Sequence, residues 1–286
     1  MTLIENQILD AERALYHLQD ACVSGCSFAG PADGESALKE ARGITVSDSH
    51  FLLRYPLWHV SGFTLRSCDM AETARAALWY SENGTIEGSS LHGIKCLREC
   101  SDILLRNTSI LSAEFGWRCR RITLENCDML GGEYFMFQSE NVTLKNVRMK
   151  GKYSFQYNEG LVIEDSFLDT KDAFWHTKGA TVRNSTVKGE YLGWYSEGLT
   201  LDHCHIIGTQ PLCYCKDLTL IDCTMEACDL AFEYSTVNAT VNGHIDSVKN
   251  PLEGSVTADS IGEIILADSI YPCFCRISQR QNGAVS

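Results

Sequence analysis

The sequence has no basic run. Lysine and arginine number 24 against 37 acidic residues, giving a formal net charge of -13. A nucleic acid is therefore not an expected partner, because phosphate recognition needs clustered cations. No apolar segment is long enough to span a bilayer, and no membrane partner is expected. The N-terminal stretch MTLIENQILDAERALY is acidic and amphipathic. It has no basic region ahead of an apolar core, so it does not read as an export signal. That reading makes free thiols in a reducing cytoplasm the expectation for the 14 cysteines. Cys213-Tyr214-Cys215 and Cys273-Phe274-Cys275 place two thiols on one face each. No second His/Cys pair follows at zinc spacing, so they read as core residues, and neither a metal nor another cofactor is expected.

What fills the chain is one repeated sentence of eight residues. Ile122 opens ITLENCDM, Val142 VTLKNVRM, Leu161 LVIEDSFL, Ala180 ATVRNSTV, Leu199 LTLDHCHI and Leu218 LTLIDCTM. Toward the N-terminus, ILLRNTSI, GTIEGSSL, FTLRSCDM, ITVSDSHF and ACVSGCSF open at Ile103, Gly84, Phe63, Ile44 and Ala21. From Ile103 to Leu218 the starts lie 19 or 20 residues apart. A period of that length marks a solenoid.

The first and third positions of each sentence are apolar, which reads as a short strand with one buried face. The fifth is Asp or Asn in most rungs, including Asp48, Asn107, Asn126, Asn146, Asp165, Asn184 and Asp222. These residues tolerate the left-handed conformation and mark a turn, where stacked amides can form a ladder. Cys26, Cys68, Cys127, Cys204 and Cys223 share the sixth column with Ser, Thr and Val, so cysteine serves there as a small buried residue.

A second strand is expected before each sentence. Five residues ahead of the starts stand Trp58, Trp79, Arg98, Trp117, Phe137, Gln156, Trp175, Trp194 and Cys213. Taken as inward, they fill a narrow lumen together with small residues two positions later. The alternate set then faces outward: Tyr134, Met136 and Gln138; Tyr153, Phe155 and Tyr157; Asp172, Phe174 and His176; Tyr191, Gly193 and Tyr195. The pattern alone also permits the opposite assignment. Arg98 interrupts the inward column, and a buried Arg needs partners, so a local register shift is expected there.

The fold class that follows is all-β, a right-handed parallel β-helix of eleven to twelve rungs, since parallel crossovers are right-handed. A leucine-rich repeat is the rival, but it needs a helix or extended convex segment where this chain has aromatic segments. The expected organisation is one domain over 1–286. Its cap and first rung cover 1–20, and its regular rungs cover 21–236 with an insertion at 29–39. Irregular C-terminal rungs and a cap cover 237–278, and a frayed tail covers 279–286.

Chemistry is expected on the outward face between Glu114 and Tyr214. Arg118, Gln138, Tyr153, Phe155, Tyr157, Phe174, His176, Tyr191, Tyr195 and Tyr214 form the candidate ligand surface. Gly116 and Gly193 would open shallow pockets in it, and Leu57, Leu78 and Leu97 would lie further along it under the 29–39 insertion. Ring faces would cover the CH faces of a sugar while amides and hydroxyls meet its OH groups. The bland alternative is a solvated face with cross-strand tyrosine stacking. Asp172, Glu114 and Arg118 are the candidate catalytic groups. Asp172 and His176 would stand about 13 Å apart on one strand, too far for a proton relay. Lys95 with Glu114, and Glu99 with Arg118, should form surface ion pairs. The expected function is binding of a carbohydrate or related metabolite. A carbohydrate-active lyase, hydrolase or epimerase and a protein-interaction scaffold are the alternatives.

The rungs FTLRSCDM, ITLENCDM and LTLDHCHI resemble those of a bacterial family of unknown function with the pectin-lyase-like single-stranded right-handed β-helix fold. So do the segments ALWYSENG, KYSFQYNEG, DAFWHTKG, EYLGWYSEG and TQPLCYCKD between the rungs, and GPADGESALKEARGI near the start. The likeness covers almost the whole chain. It implies the fold and a cytoplasmic bacterial origin, but no activity. The paired aspartates and Gly-His-Gly of the superfamily's galacturonan hydrolases have no counterpart here, nor does the acidic calcium cluster of pectate lyases. Fold likeness alone does not fix a reaction.

Overall fold

The computed structural model describes residues 2–30 and 35–280. Among them the structure is all-β without a helix, and its named strands pair in parallel. Contacts group the chain into two compact units, Met1–Lys150 and Gly151–Ser286. Each is a stack of the same rung, and the rungs make about 14 turns in all. The turns beyond the eleven or twelve legible in the repeat lie at the chain ends. Thr2–Glu5 pairs with Ala21–Ser24, and Glu253–Ala258 and Arg276–Gln279 extend the other end. Thr2 and Gly254 stand where most sentences open on an apolar side chain, which hides those rungs from the pattern.

In the first unit a six-residue strand begins two residues ahead of the sentence, as in Arg42–Ser47, and two corner residues, Asp48 and Ser49, lead to a second short strand, His50–Phe51. Ile103 pairs with Ile122 and Ile122 with Val142, while Leu91 pairs with Ile110 and Ile110 with Met129. Ile122, Leu124, Cys127 and Met129 all point into the lumen, none more than 2% exposed. The first corner residue is left-handed in every rung, for example Asn107, Asn126 and Asn146 at φ 49°, 53° and 52°. Asn146 Nδ2 donates to Asn126 Oδ1 at 2.8 Å, so the stacked amides bond along the ladder. Gly84 opens its rung without a side chain because the Phe63 ring takes the space a Cβ would need.

The sixth column is more than small. Cys127 Sγ donates toward Glu125 O at 3.4 Å, Ser49 Oγ donates to Ser47 O at 2.7 Å, and the Cys26 N–H donates to Ser49 Oγ. A second column does the same where the next segment turns back. Ser139 Oγ donates to Gly116 O at 2.6 Å and accepts from the Cys119 N–H. Ser, Thr and Cys interchange because each can donate to a carbonyl and accept from an N–H in a space too small for anything longer.

The expected second strand is only partly present. Leu57–Trp58, Leu78–Trp79 and Leu97–Arg98 form a three-stranded sheet. Elsewhere the segment is a stack of turns in which every second residue is left-handed. Tyr134, Met136 and Gln138 have φ near 52°, and in the second unit Asp172, Phe174 and His176 have φ 52°, 63° and 53°. Strand alternation therefore fails. Two consecutive residues enter the lumen, Phe135 with Met136 and Ala173 with Phe174. Leu57, Leu78 and Leu97 are fully buried lumen residues, not an outward patch under an insertion. Residues 35–39 form a side of their own rung, with the Leu38 N–H on Pro56 O and Ala37 and Leu38 buried. Residues 31–34 lie outside the described residues.

In the second unit, Val162–Glu164, Thr181–Arg183, Thr200–Asp202 and Leu218–Glu226 stack in register. Thr236–Val241 and Glu253–Ala258 follow, and His244–Lys249 pairs with Ser260–Ile265. Phe155 and Phe174 stack inside this lumen, their centroids 5.4 Å apart. Gln279 is part of the last strand and Arg280 pairs with Asp259 at 2.9 Å, so the expected tail does not begin at 279. Residues 281–286 lie outside the described residues. Cys273 and Cys275 are half-buried rather than core.

Candidate functional site

The candidate surface falls on both units and is described unit by unit. In the second unit the turn stack projects one ring per rung. Tyr157 and His176 lie 4.9 Å apart at 10°, His176 and Tyr195 5.1 Å at 10°, and Tyr195 and Tyr214 4.9 Å at 15°. Tyr234 continues the file at a tilt. Tyr157 and Tyr195 are about half exposed, at 48% and 44%. The stacking has a consequence for recognition. Ring faces cover one another, so what reaches solvent is the ring edge with its hydroxyl or nitrogen. A sugar cannot lie flat on these rings. It can meet the row of polar atoms.

The file is held by a column expected in the core. Trp175 and Trp194 are half-buried beside it, stacked at 5.7 Å and 6°. Each indole N–H fastens the next rung: Trp175 Nε1 donates to Tyr191 O at 3.1 Å and Trp194 Nε1 to Gln210 O at 2.8 Å. Gln156 Nε2 reaches Asp172 O in the same way at 3.2 Å. An indole sealed in an apolar lumen would have no such acceptor. That requirement is the signal in the sequence that places these residues at the wall.

Phe155 and Phe174 are 0% and 1% exposed and leave the candidate surface. Phe174 packs among Val187, Leu192, Leu199 and Leu212 around a residual void of about 10 Å³. Gly193 opens no pocket, because Leu212 and Leu199 fill the space beside it. Tyr191 is half-buried, edge-on to Trp194 at 5.3 Å. Tyr153 is half-buried with Lys152 Nζ 5.4 Å from its ring centre. Asp172 is partly buried, and that burial raises its carboxyl above the usual range; Lys171 opposes the shift and Glu190 adds to it. His176 is not among the charges acting on it. The segment is not extended, so the strand spacing expected between Asp172 and His176 does not apply.

In the first unit, Arg118 Nε donates to Gln138 Oε1 at 3.2 Å. Arg118 lines an open groove of about 430 Å³ with Tyr80, Glu99, Arg120 and Arg121. Lys95 pairs with Glu114 at 3.5 Å as expected. Glu99 makes no ion pair with Arg118 among the described residues. Gly116 is filled by Met136, whose Sδ would lie 2.3 Å from an added Cβ. Trp117 is half-buried and donates to Tyr134 O at 2.9 Å. Leu97 and Arg98 stay in register with Leu78 and Trp79, so the expected shift at Arg98 does not occur.

The fold and this surface define a parallel β-helix protein with an aromatic ladder along one side. The chain belongs to the family described as "Protein of unknown function (DUF3737)", whose model matches residues 2–278. No curated protein matches it in sequence. Solved structures similar to it include the A-module of mannuronan C-5 epimerase AlgE6 of Azotobacter vinelandii. That likeness has 11% identity and a TM-score of 0.42 over 91% of this chain and 90% of that one. PfbA, a surface adhesin of Streptococcus pneumoniae, is similar at 10% identity and a TM-score of 0.36, over 89% and 72% of the two chains. The catalytic domain of a GH87 alpha-1,3-glucanase is similar at 10% and 0.33, over 98% and 64%.

Proposed function

We propose that the protein binds an extended carbohydrate along the file Tyr157, His176, Tyr195 and Tyr214. The observation that carries this is the register of the file, one ring per rung at 4.9–5.1 Å with polar edges outward. A repeating ligand laid along it meets a hydroxyl or ring nitrogen at each step. Tyrosine loses little conformational entropy in such contacts. Binding without turnover is the reading because, of the three candidate catalytic groups, Glu114 and Arg118 are already engaged by Lys95 and Gln138, which leaves Asp172 alone.

A glycan array identifies the ligand, and Tyr195→Phe with Tyr214→Phe then tests the site. The double variant keeps the stack and loses two hydroxyls. At about 0.5–1.5 kcal/mol for each hydrogen bond, affinity should fall roughly 5- to 150-fold. Unchanged affinity would make the file cross-rung packing and nothing more. An unsaturated, ultraviolet-absorbing product from uronides would replace binding with lyase activity. Recovery of a protein partner that the double variant loses, with no glycan bound, would favour a scaffold.

A further inference from the structure

Two adjacent donors of the fastening column in the first unit find no acceptor. Trp58 Nε1 donates to Ala76 O at 3.0 Å and Trp117 Nε1 to Tyr134 O at 2.9 Å. Between them, Trp79 Nε1 and Arg98 Nε are buried and have no hydrogen-bond partner. Nearly every buried donor in a folded protein is paired, so two orphans on adjacent rungs need an explanation. The guanidinium of Arg98 is held between two indoles, 5.2 Å from the Trp79 ring centre and 5.0 Å from that of Trp117.

The charges around it are unusual for this chain. Elsewhere in the unit, several arginines pair with a carboxylate one rung away, among them Arg54 with Glu35, Arg106 with Glu125 and Arg121 with Asp102. Among the described residues Arg98 has no carboxylate within ion-pairing distance. Arg75 Nη2 donates to the Tyr55 hydroxyl at 3.4 Å. Both line a cavity of about 200 Å³ together with Tyr55, Trp79, Ile94 and Lys95. Three cationic side chains thus meet in one cavity of a protein of net charge -13. Of these, Lys95 is the one with an acid beside it.

We propose that this cavity is a binding site for a small organic anion, a carboxylate or phosphate monoester no larger than a monosaccharide. Arg98 and Arg75 supply the charge and the forked donors that match either group. Trp79, Tyr55 and Ile94 supply an apolar wall for the body of the ligand. The volume suits one small molecule and not a chain. The site shares no residue with the tyrosine file, and its argument does not depend on carbohydrate binding there.

The test is titration of the full chain with glucuronate, glucose 6-phosphate and glucose, followed by calorimetry and by the emission of the flanking tryptophans. Saturable binding of either anion, with glucose at least tenfold weaker, is the expected result. Preference between the two anions names the acid group. Arg98→Met should abolish binding, and Arg75→Gln, at an exposed position, should weaken it at least fivefold. If Arg98→Met does not fold, Arg75→Gln decides. Tyr195→Phe with Tyr214→Phe should leave anion binding unchanged. The proposal is overturned if neither anion binds at millimolar concentration, if glucose binds equally well, or if Arg75→Gln binds as the unaltered protein does.

Discussion

Trp79 and Trp117 form a matched pair. Both flank the Arg98 guanidinium at about the same distance, 5.2 and 5.0 Å, and both are half-buried. Replacement by Phe removes similar area and a similar cation–π contact from each. The indole N–H is where they differ. That of Trp117 donates to Tyr134 O, and that of Trp79 has no partner. Trp117→Phe should forfeit the net worth of one hydrogen bond, about 0.5–1.5 kcal/mol, beyond the lost packing. Trp79→Phe removes a buried unpaired donor, whose desolvation penalty of about 1–3 kcal/mol offsets the packing loss. The Trp117 variant should therefore be the less stable of the two by about 1.5–4.5 kcal/mol. Urea unfolding without added ligand measures this as a difference in midpoint at constant slope. In thermal melts each kcal/mol should appear as a shift of about 2–4 °C for a unit of this size. Repeat proteins can unfold in steps, but both residues lie in Met1–Lys150 and report on the same unit. Equal losses, or a larger loss for Trp79→Phe, would refute the reasoning. The Trp79 N–H would then cost the fold nothing.

Phe174→Ala should destabilise the second unit by about 3–5 kcal/mol, as expected for a large side chain removed from a closed lumen. His176→Ala, two residues on and exposed, should stay within about 0.5 kcal/mol; urea melts showing the reverse would restore strand alternation. Thiol titration in denaturant without reductant should find all 14 cysteines free. In the native protein the partly exposed Cys22 and Cys273 should react first, ahead of Cys275, whose thiol burial pushes up to about 11. Burial pushes the Cys68 and Cys215 thiols up to about 11 and Cys228 up to about 12, so they should react slowly. Protected pairs in the denatured chain would contradict this.

The ITLENCDM side of the rung was legible because two independent rules agree there. Apolar residues alternate as a half-buried strand requires, and Asn126 and its equivalents sit where the chain needs a left-handed corner. The opposite side was not legible, for a physical reason. Asp172, Phe174 and His176 are left-handed there, and Phe is not a residue that marks that conformation. A left-handed residue other than Gly costs about 1–2 kcal/mol in isolation. The stack offsets it: the Phe174 N–H donates to Ser154 O at 2.9 Å and the His176 N–H to Trp194 O at 3.1 Å. The conformation is imposed by neighbouring rungs, so a single rung read as a strand gives the wrong faces. Phe155 and Phe174 were placed outside and Trp175 and Trp194 inside for that one cause.

The same cause explains what was read correctly and what was missed at the surface. Tyr157, His176, Tyr195 and Tyr214 stay on one exposed file under either geometry, because each falls at the same point of successive rungs and the period alone aligns them. Their chemistry still depends on the geometry, since rings stacked at about 5 Å present edges where lone rings would present faces. Arg98 was visible in the sequence as a break in a column of tryptophans. Reading it as a register fault followed from treating that column as sealed. Once the column is a row of wall residues, most of the tryptophans donating to the next rung, an arginine there can be tolerated without any shift, and the structure shows none. In a repeat, a column states what its position requires of the fold. A residue that departs from its column, keeps register and leaves its own and its neighbour's donors unpaired is not there for the fold. That is the argument for testing Arg98 as a ligand contact.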